Sequence, residues 1–180
     1  KRVRQVCLLF NSQGERVARY DKIHMFDVHN ASTDENYNES ETIEPGNEVV
    51  VVDTPFGKLG IAICYDLRFP VFMRNQNDYD LSICVANWPA PRRSPWRTLL
   101  QARAIENQCY MLGVNRVGQD AAGLHYSGDS LAVDYKGDLL IDQPQNASFV
   151  ETTALSLKSL RAFRETFPAW QDADAFMLDF

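Results

Sequence analysis

This 180-residue sequence has no basic excess: 18 Lys and Arg face 24 Asp and Glu, a formal net charge of −6. With no basic stripe to neutralise phosphates, nucleic acid is disfavoured as a partner. No uninterrupted apolar run approaches the ~20 residues a membrane-spanning helix needs, so no membrane role is expected. The four cysteines, Cys7, Cys64, Cys84 and Cys109, are far apart and include no C-x-x-C pair. A disulfide scaffold is not expected at this size, which fits a reducing, cytoplasmic setting. His24 and His29 are not joined by a Cys or carboxylate spacing that would complete a metal set. Gly57, Gly60 and Gly118 make no phosphate-binding fingerprint. No metal and no cofactor is therefore expected. The sequence also lacks internal repeats, low-complexity tracts and an initiator Met; it opens on Lys1-Arg2 and runs straight into a strand, as though sequence precedes it.

What remains is an ordinary globular balance, 45% apolar and 23% charged, long enough for one domain over 1–180 with a real core. VRQVCLLFN and RVARYDKIH flank the turn around Gly14 and predict a β-hairpin. Val6, Leu8 and Phe10 share one face and Cys7 and Leu9 the other, so the hairpin calls for layers on both sides. Residues 27–48 are polar and predict a long loop with a Pro45-Gly46 turn. VVVVDT and KLGIAIC predict a second hairpin, its second arm central and ending at Cys64. A short helix is expected over Pro70–Asn75. LSICVAN is a buried strand, and Ser94-Pro95 signals a helix running to about Gln108. CYMLGVN, a hairpin around Lys136-Gly137-Asp138, and a helix from Leu157 to about Glu165 complete the chain. Hairpins mixed with strand–helix–strand units predict an α/β fold with helices and mixed sheets in layers.

Cys64 stands apart from the other thiols. It closes a buried strand just before Tyr65-Asp66-Leu67-Arg68-Phe69-Pro70, where a strand-to-helix elbow would expose its side chain at the sheet edge. A following helix N-terminus and a nearby cation would lower its pKa and populate the thiolate. Position alone leaves open that Cys64 merely ends a core strand. Lys22, between Tyr20 and Ile23, is either a snorkelling surface lysine or a paired one. Glu39 is one of several acids in its loop, where a solvated face is the default.

These segments resemble the carbon–nitrogen hydrolases of the nitrilase superfamily. YDKIHMFD is similar to the motif bearing that family's catalytic lysine, here Lys22. GKLGIAICYDLRFP is similar to the motif bearing its nucleophilic cysteine, here Cys64. Glu39 in NYNESETIEPG matches the second glutamate of the same loop in omega-amidases. NDYDLSICVANWPAP, RAIENQCYMLGVNRVGQD and RETFPAWQDAD resemble the bacterial omega-amidase branch, whereas the earlier motifs look closer to broader amidase branches.

The resemblance implies a nitrilase-like α-β-β-α sandwich, and hydrolysis of an amide of a dicarboxylate such as 2-oxoglutaramate through a Cys64 thioester, releasing ammonia. The Tyr65 backbone N–H would join Lys22 at the oxyanion. Asn87, Trp88 and Arg92 would line the substrate pocket, with Arg92 or Arg93 taking the substrate carboxylate. It also implies a homo-oligomer, with Trp170 and Phe176-Met177-Leu178 as candidate interface residues. The family's general-base glutamate belongs ahead of the lysine motif, where only Glu15 and Asp21 stand and neither matches. The chain thus reads as the C-terminal portion of such an enzyme. The alternative is a non-catalytic binding or assembly module that keeps the fold without the base.

Overall fold

A computed structural model describes residues 3–30 and 35–180. In chain order the strands are β1 (Val6–Phe10), β2 (Arg16–Asp21), β3 (Asp27–Asn30), β4 (Glu35–Asn38), β5 (Val51–Thr54), β6 (Gly57–Ile63) and β7 (Leu81–Ala86). Helix α1 (Arg93–Asn107) leads to β8 (Tyr110–Asn115), β9 (Val117–Gln119), β10 (His125–Ser127), β11 (Leu131–Val133) and β12 (Leu139–Asp142), and α2 (Leu157–Thr166) follows.

The central sheet has six strands in the order β12-β11-β8-β7-β6-β5. β6, β7 and β8 run parallel, and the flanking pairs are antiparallel. The parallel core follows from the sequence: IAI, SICV and MLGV are apolar on both faces, as strands covered on both sides must be. On one face, Ala62, Cys84, Met111, Gly113, Leu131 and Val133 are all buried. Helix α1 covers them with Trp96, Leu100 and Ala104, which are almost fully buried. Gly113 is what lets the helix approach: a Cβ there would lie 2.3 Å from Leu100 Cδ1 and 2.9 Å from Trp96 Cζ2. Gly113→Ala is therefore expected to lower stability by about 1–3 kcal/mol through overpacking, read as a lower urea midpoint at unchanged slope.

On the opposite face Ile61 and Ile63 are buried, and the β1–β2 hairpin packs there through Cys7, Leu9 and Ala18. Coverage then fades: Ile83, Val85 and Leu112 are half-buried and Val114 is exposed. The hairpin's own outer row, Val6, Leu8 and Phe10, is also exposed, at 40–55%. The alternation was read correctly from the sequence, but only the Cys7–Leu9 face is covered by the described residues.

Several expected elements shift. The 27–48 stretch contains the β3–β4 hairpin, with residues 31–34 outside the described set. β6 stops at Ile63, and Cys64 opens a 3-10 turn over Cys64–Arg68. The helix expected at Pro70–Asn75 is only a turn, closed by the Met73 N–H on the Phe69 carbonyl at 3.1 Å. Proline pushes its preceding residue out of the helical region, and Phe69 is extended at φ −107°, ψ 93°. α1 begins at Arg93, ahead of the Ser94-Pro95 signal, because a 3-10 turn at Ala90–Arg92 feeds directly into it. The β9–β10 hairpin was not foreseen. Ser156 caps α2, its side chain accepting from the Ser159 N–H. No helix among the described residues is long and apolar enough to cross a membrane.

Candidate active site

Cys64 sits at the C-terminal end of β6 with φ +49°, in the left-handed region that side-chain-bearing residues seldom occupy. This is the sharp elbow expected from the sequence. It leaves the thiol partly exposed where the parallel strands end. The neighbouring parallel strand β7 ends alongside, and the Asn87 backbone just beyond it comes close enough to the Cys64 sulfur to lower its pKa.

Lys22 follows the last residue of β2 and is 1% exposed. Its Nζ donates to Glu39 Oε2, and Glu39 is itself buried. The same Glu39 oxygen accepts the Phe26 N–H at 2.8 Å, and Gln5 Nε2 donates to the other at 3.2 Å. A buried lysine is stable only with such a partner. The solvated-face and snorkelling readings therefore do not describe this pair. The backbone explains how the two meet: Lys22 N–H donates to the Gln5 carbonyl, and Gly46 N–H to the Lys22 carbonyl, folding the loop after Glu39 back over β2. Gly46 is pressed against that strand; a Cβ there would lie 2.2 Å from the Asp21 carbonyl oxygen. The turn expected at Pro45-Gly46 is not there: the chain turns at Ser40–Thr42, closed by the Thr42 and Ile43 N–H groups on the Glu39 carbonyl, and Pro45-Gly46 then runs against β2 beside Lys22.

The electrostatics correct one expectation. Burial pushes the Cys64 thiol up to about 11; Lys22 pulls it down, and Glu39 pushes it up again. The Asn87 backbone lowers it and Asp66 raises it. Lys22 does not populate a thiolate as expected, since its charge is matched by Glu39, and the five-residue 3-10 turn offers little of a helix dipole. Cys64 is therefore expected to be almost wholly thiol at pH 7. Its alkylation by iodoacetamide should therefore rise about tenfold per pH unit from pH 7 and level off only near pH 11, measured by peptide mass spectrometry. A plateau below pH 9 would contradict this. Cys84 and Cys109 are fully buried, with burial pushing both thiols up, and should stay unlabelled while the protein is folded.

The proposed pocket residues separate. Trp88 is buried; its indole N–H donates to the Arg92 carbonyl at 2.7 Å, and Asn115 Oδ1 accepts its backbone N–H at 2.7 Å. The Arg68 guanidinium lies over its ring, 5.0 Å from the centroid. Asn87 is exposed, beside the sulfur. Tyr65 packs edge-on against Phe26 and Phe69. Arg92 lies over the Phe26 ring at 5.3 Å. Arg93 is removed from the carboxylate-binding role: it pairs with buried Asp129 at 2.7 and 2.9 Å and so anchors the start of α1.

Sequence reasoning missed a second buried carboxylate. Asp66 is fully buried and accepts four hydrogen bonds, from Tyr20 Oη, the Ile63 N–H, the His24 N–H and His24 Nδ1. His24, weighed as a metal ligand, makes this contact and stacks on Phe69 with ring centroids 3.8 Å apart. Among the described residues no three His, Cys, Asp or Glu side chains converge to hold a metal ion. The signal that could have found Asp66 is the period-two spacing of Tyr20, Lys22 and His24, three polar-tipped side chains that run off the end of β2.

Comparison with known proteins agrees with this architecture. A carbon-nitrogen hydrolase family model matches residues 2–165. The chain is 46% identical over 165 residues to the omega-amidase YafV of Escherichia coli K12, covering 92% of this chain and 61% of that protein. It is 41% identical to the deaminated glutathione amidase of Yersinia enterocolitica, covering 91% of this chain and 58% of that protein. The chain thus spans about three fifths of these relatives. Among solved structures, XC1258 of Xanthomonas campestris, a CN-hydrolase superfamily protein with an arsenic adduct in its active site, superposes with a TM-score of 0.87 at 38% identity, covering 97% of this chain and 65% of that one. Strand order, elbow and family match concur, and the chain belongs to the carbon-nitrogen hydrolase family.

Proposed function

We propose that this chain carries the nucleophile and the oxyanion side of an amidase site. The observation that carries the reading is that Cys64, strained at the end of β6, lies within electrostatic reach of the buried Lys22–Glu39 pair, both of whose charges act on its thiol. In this reading the Cys64 sulfur gives up its proton as it attacks and forms an S–C bond to the amide carbonyl. The C=O electron pair moves onto oxygen, facing the Lys22 ammonium and the Tyr65 N–H, which has no acceptor within its own 3-10 turn. Collapse breaks the C–N bond, and the nitrogen takes up a proton and leaves as ammonia. Water then cleaves the thioester, releasing the acid and restoring the thiol.

With a thiol at about 11, attack needs a base that removes the proton as the bond forms. Glu39 holds three donors and Asp66 four, so neither of the buried carboxylates that act on Cys64 is spare for that task. Glu39 acts here by orienting Lys22. The base is not assigned among the described residues.

For the substrate we propose an omega-amide of a short dicarboxylic acid, such as 2-oxoglutaramate. The naming of the relative at 46% identity and the position of Arg92 over Phe26, which faces Tyr65, support this. Arg92 would take the free carboxylate in a two-pronged contact. The expected result is that 2-oxoglutaramate protects Cys64 from alkylation and that Arg92→Ala raises the protecting concentration by about 10- to 100-fold, the worth of a charge-assisted hydrogen bond. Protection by an uncharged amide should be unchanged. Equal weakening for both ligands would remove Arg92 from the site. A second copy of the chain is the partner we propose for the exposed Phe176 and Met177, while Leu178 packs inward on the core.

A further inference from the structure

Asp66 occupies an expensive place. It is fully buried beside Leu67 in the main core, its one ion-pair partner among the described residues is His24, and an apolar residue there would avoid the cost of burying a charge. Four donors compensate it. Oδ2 takes the Tyr20 hydroxyl at 2.7 Å and the Ile63 N–H at 2.9 Å; Oδ1 takes the His24 N–H at 3.1 Å and His24 Nδ1 at 2.8 Å. Each carboxylate oxygen has two lone pairs, so both are fully used and the group has one orientation.

The origin of the donors matters more than their number. Tyr20 and His24 lie two residues before and two residues after Lys22. Ile63 immediately precedes Cys64, and Asp66 follows Cys64 by two. One carboxylate therefore joins the strand that carries the ammonium to the elbow that carries the thiol. The partners are themselves fixed. The His24 ring lies flat on Phe69 and meets the Phe72 ring edge-on at 5.0 Å. Burial and the Asp66 charge hold the Tyr20 phenol far above its usual range, so it remains a donor. The Ile63 bond closes the turn in which Cys64 keeps its left-handed backbone.

We propose that Asp66 is a positioning residue for acyl transfer: through Tyr20 and His24 it holds Lys22 in register with Cys64, so that the ammonium meets the oxyanion when the sulfur attacks. This rests on the amidase reading of the site and adds to it a residue that never touches substrate.

The test uses residues 1–180 and two reagents, with labelling of Cys64 followed by intact and peptide mass. p-Nitrophenyl acetate acylates the sulfur: the thiol proton passes to the buffer, the S–C bond forms, the ester C–O bond breaks, and p-nitrophenolate leaves with its electron pair. That path passes through an oxyanion. Iodoacetamide alkylates the same sulfur by displacing iodide, with no oxyanion. Asp66→Asn should slow acylation about 100-fold, the loss typical of one misplaced oxyanion donor, and change alkylation by no more than about threefold. Tyr20→Phe removes one of the four bonds and keeps the ring; its acylation should fall about 3- to 10-fold, with alkylation unchanged. If Asp66→Asn exposes Cys84 and Cys109 to reagent, it has unfolded and Tyr20→Phe decides. Equal slowing by both reagents in Tyr20→Phe, or no slowing by either, overturns the positioning role while leaving the nucleophile in place. A wild-type chain that is never acylated at Cys64 overturns the amidase reading, and the role of Asp66 with it.

Discussion

Replacing Lys22 with Met is expected to destabilise the protein by about 3–5 kcal/mol, because it leaves Glu39 buried without its counter-ion. Lys22 is 1% exposed and Glu39 7%. The remaining partners of the carboxylate, the Phe26 N–H and Gln5, are neutral and cannot balance its charge. Urea unfolding of Lys22→Met, Glu39→Gln and the double variant measures this directly. The double variant should recover most of the loss, since a neutral pair of similar volume carries no uncompensated charge. A single-variant loss below about 1 kcal/mol, the range of solvent-exposed pairs, would show that the pair is not buried as described. Glu39→Gln has a second expected effect of opposite character. The carboxylate holds the Cys64 thiol up and the ammonium pulls it down. Removing the carboxylate leaves Lys22 unopposed, so the thiol should titrate below about 11 and alkylate faster at pH 8 than in the wild type.

The second large effect concerns turnover. Residues 1–180 should accept a single acyl group from an activated ester and then stop, with no measurable hydrolysis of an amide. An activated ester needs no help with its leaving group, whereas releasing ammonia and activating water both need a positioned base. No carboxylate beside Cys64 is spare among the described residues, and proton transfer without a positioned base is typically slower by ~10²–10⁴-fold. An intact-mass gain of one acetyl group, absent in Cys64→Ala, is the expected observation. Steady amide turnover by this chain would contradict it and would make Glu39 the acid–base group in place of an orienting one. No acylation at all would favour the non-catalytic module.

Much of this arrangement was legible in the sequence because its signals are local. The alternation in VCLLF put Cys7 and Leu9 on one face and Val6, Leu8 and Phe10 on the other, though not which face is covered, and the apolar runs ending in IAIC and SICVAN marked buried central strands and the elbow after Cys64. Pro168, before which the last helix stops, and the Lys136-Gly137 turn set boundaries that chain-local chemistry dictates. What could not be read were pairings between distant segments. Nothing near Glu39 announces that Gly46 folds its loop onto Asp21, so the buried ion pair looked like two surface residues. Lys22 was expected to acidify Cys64, and the counter-charge that cancels it lies 17 positions away. Asp66 stood inside the quoted motif without a role, because its donors come from residues 20, 24 and 63, and only the fold brings them to one carboxylate. Nothing near Arg93 announces its partner either; Asp129, in the link between β10 and β11, reaches it only in the fold.

The left-handed backbone at residue 64 means that durability and chemistry ask for different amino acids there. Glycine would relax into φ +49° at no steric cost, whereas any side chain pays something on the order of 1 kcal/mol or more to stay. Selection for a more robust protein would accordingly drift towards glycine at the one position where a sulfur is wanted. Heat-tolerant variants obtained by screening for folding alone are thus most prone to lose their reactivity at this residue.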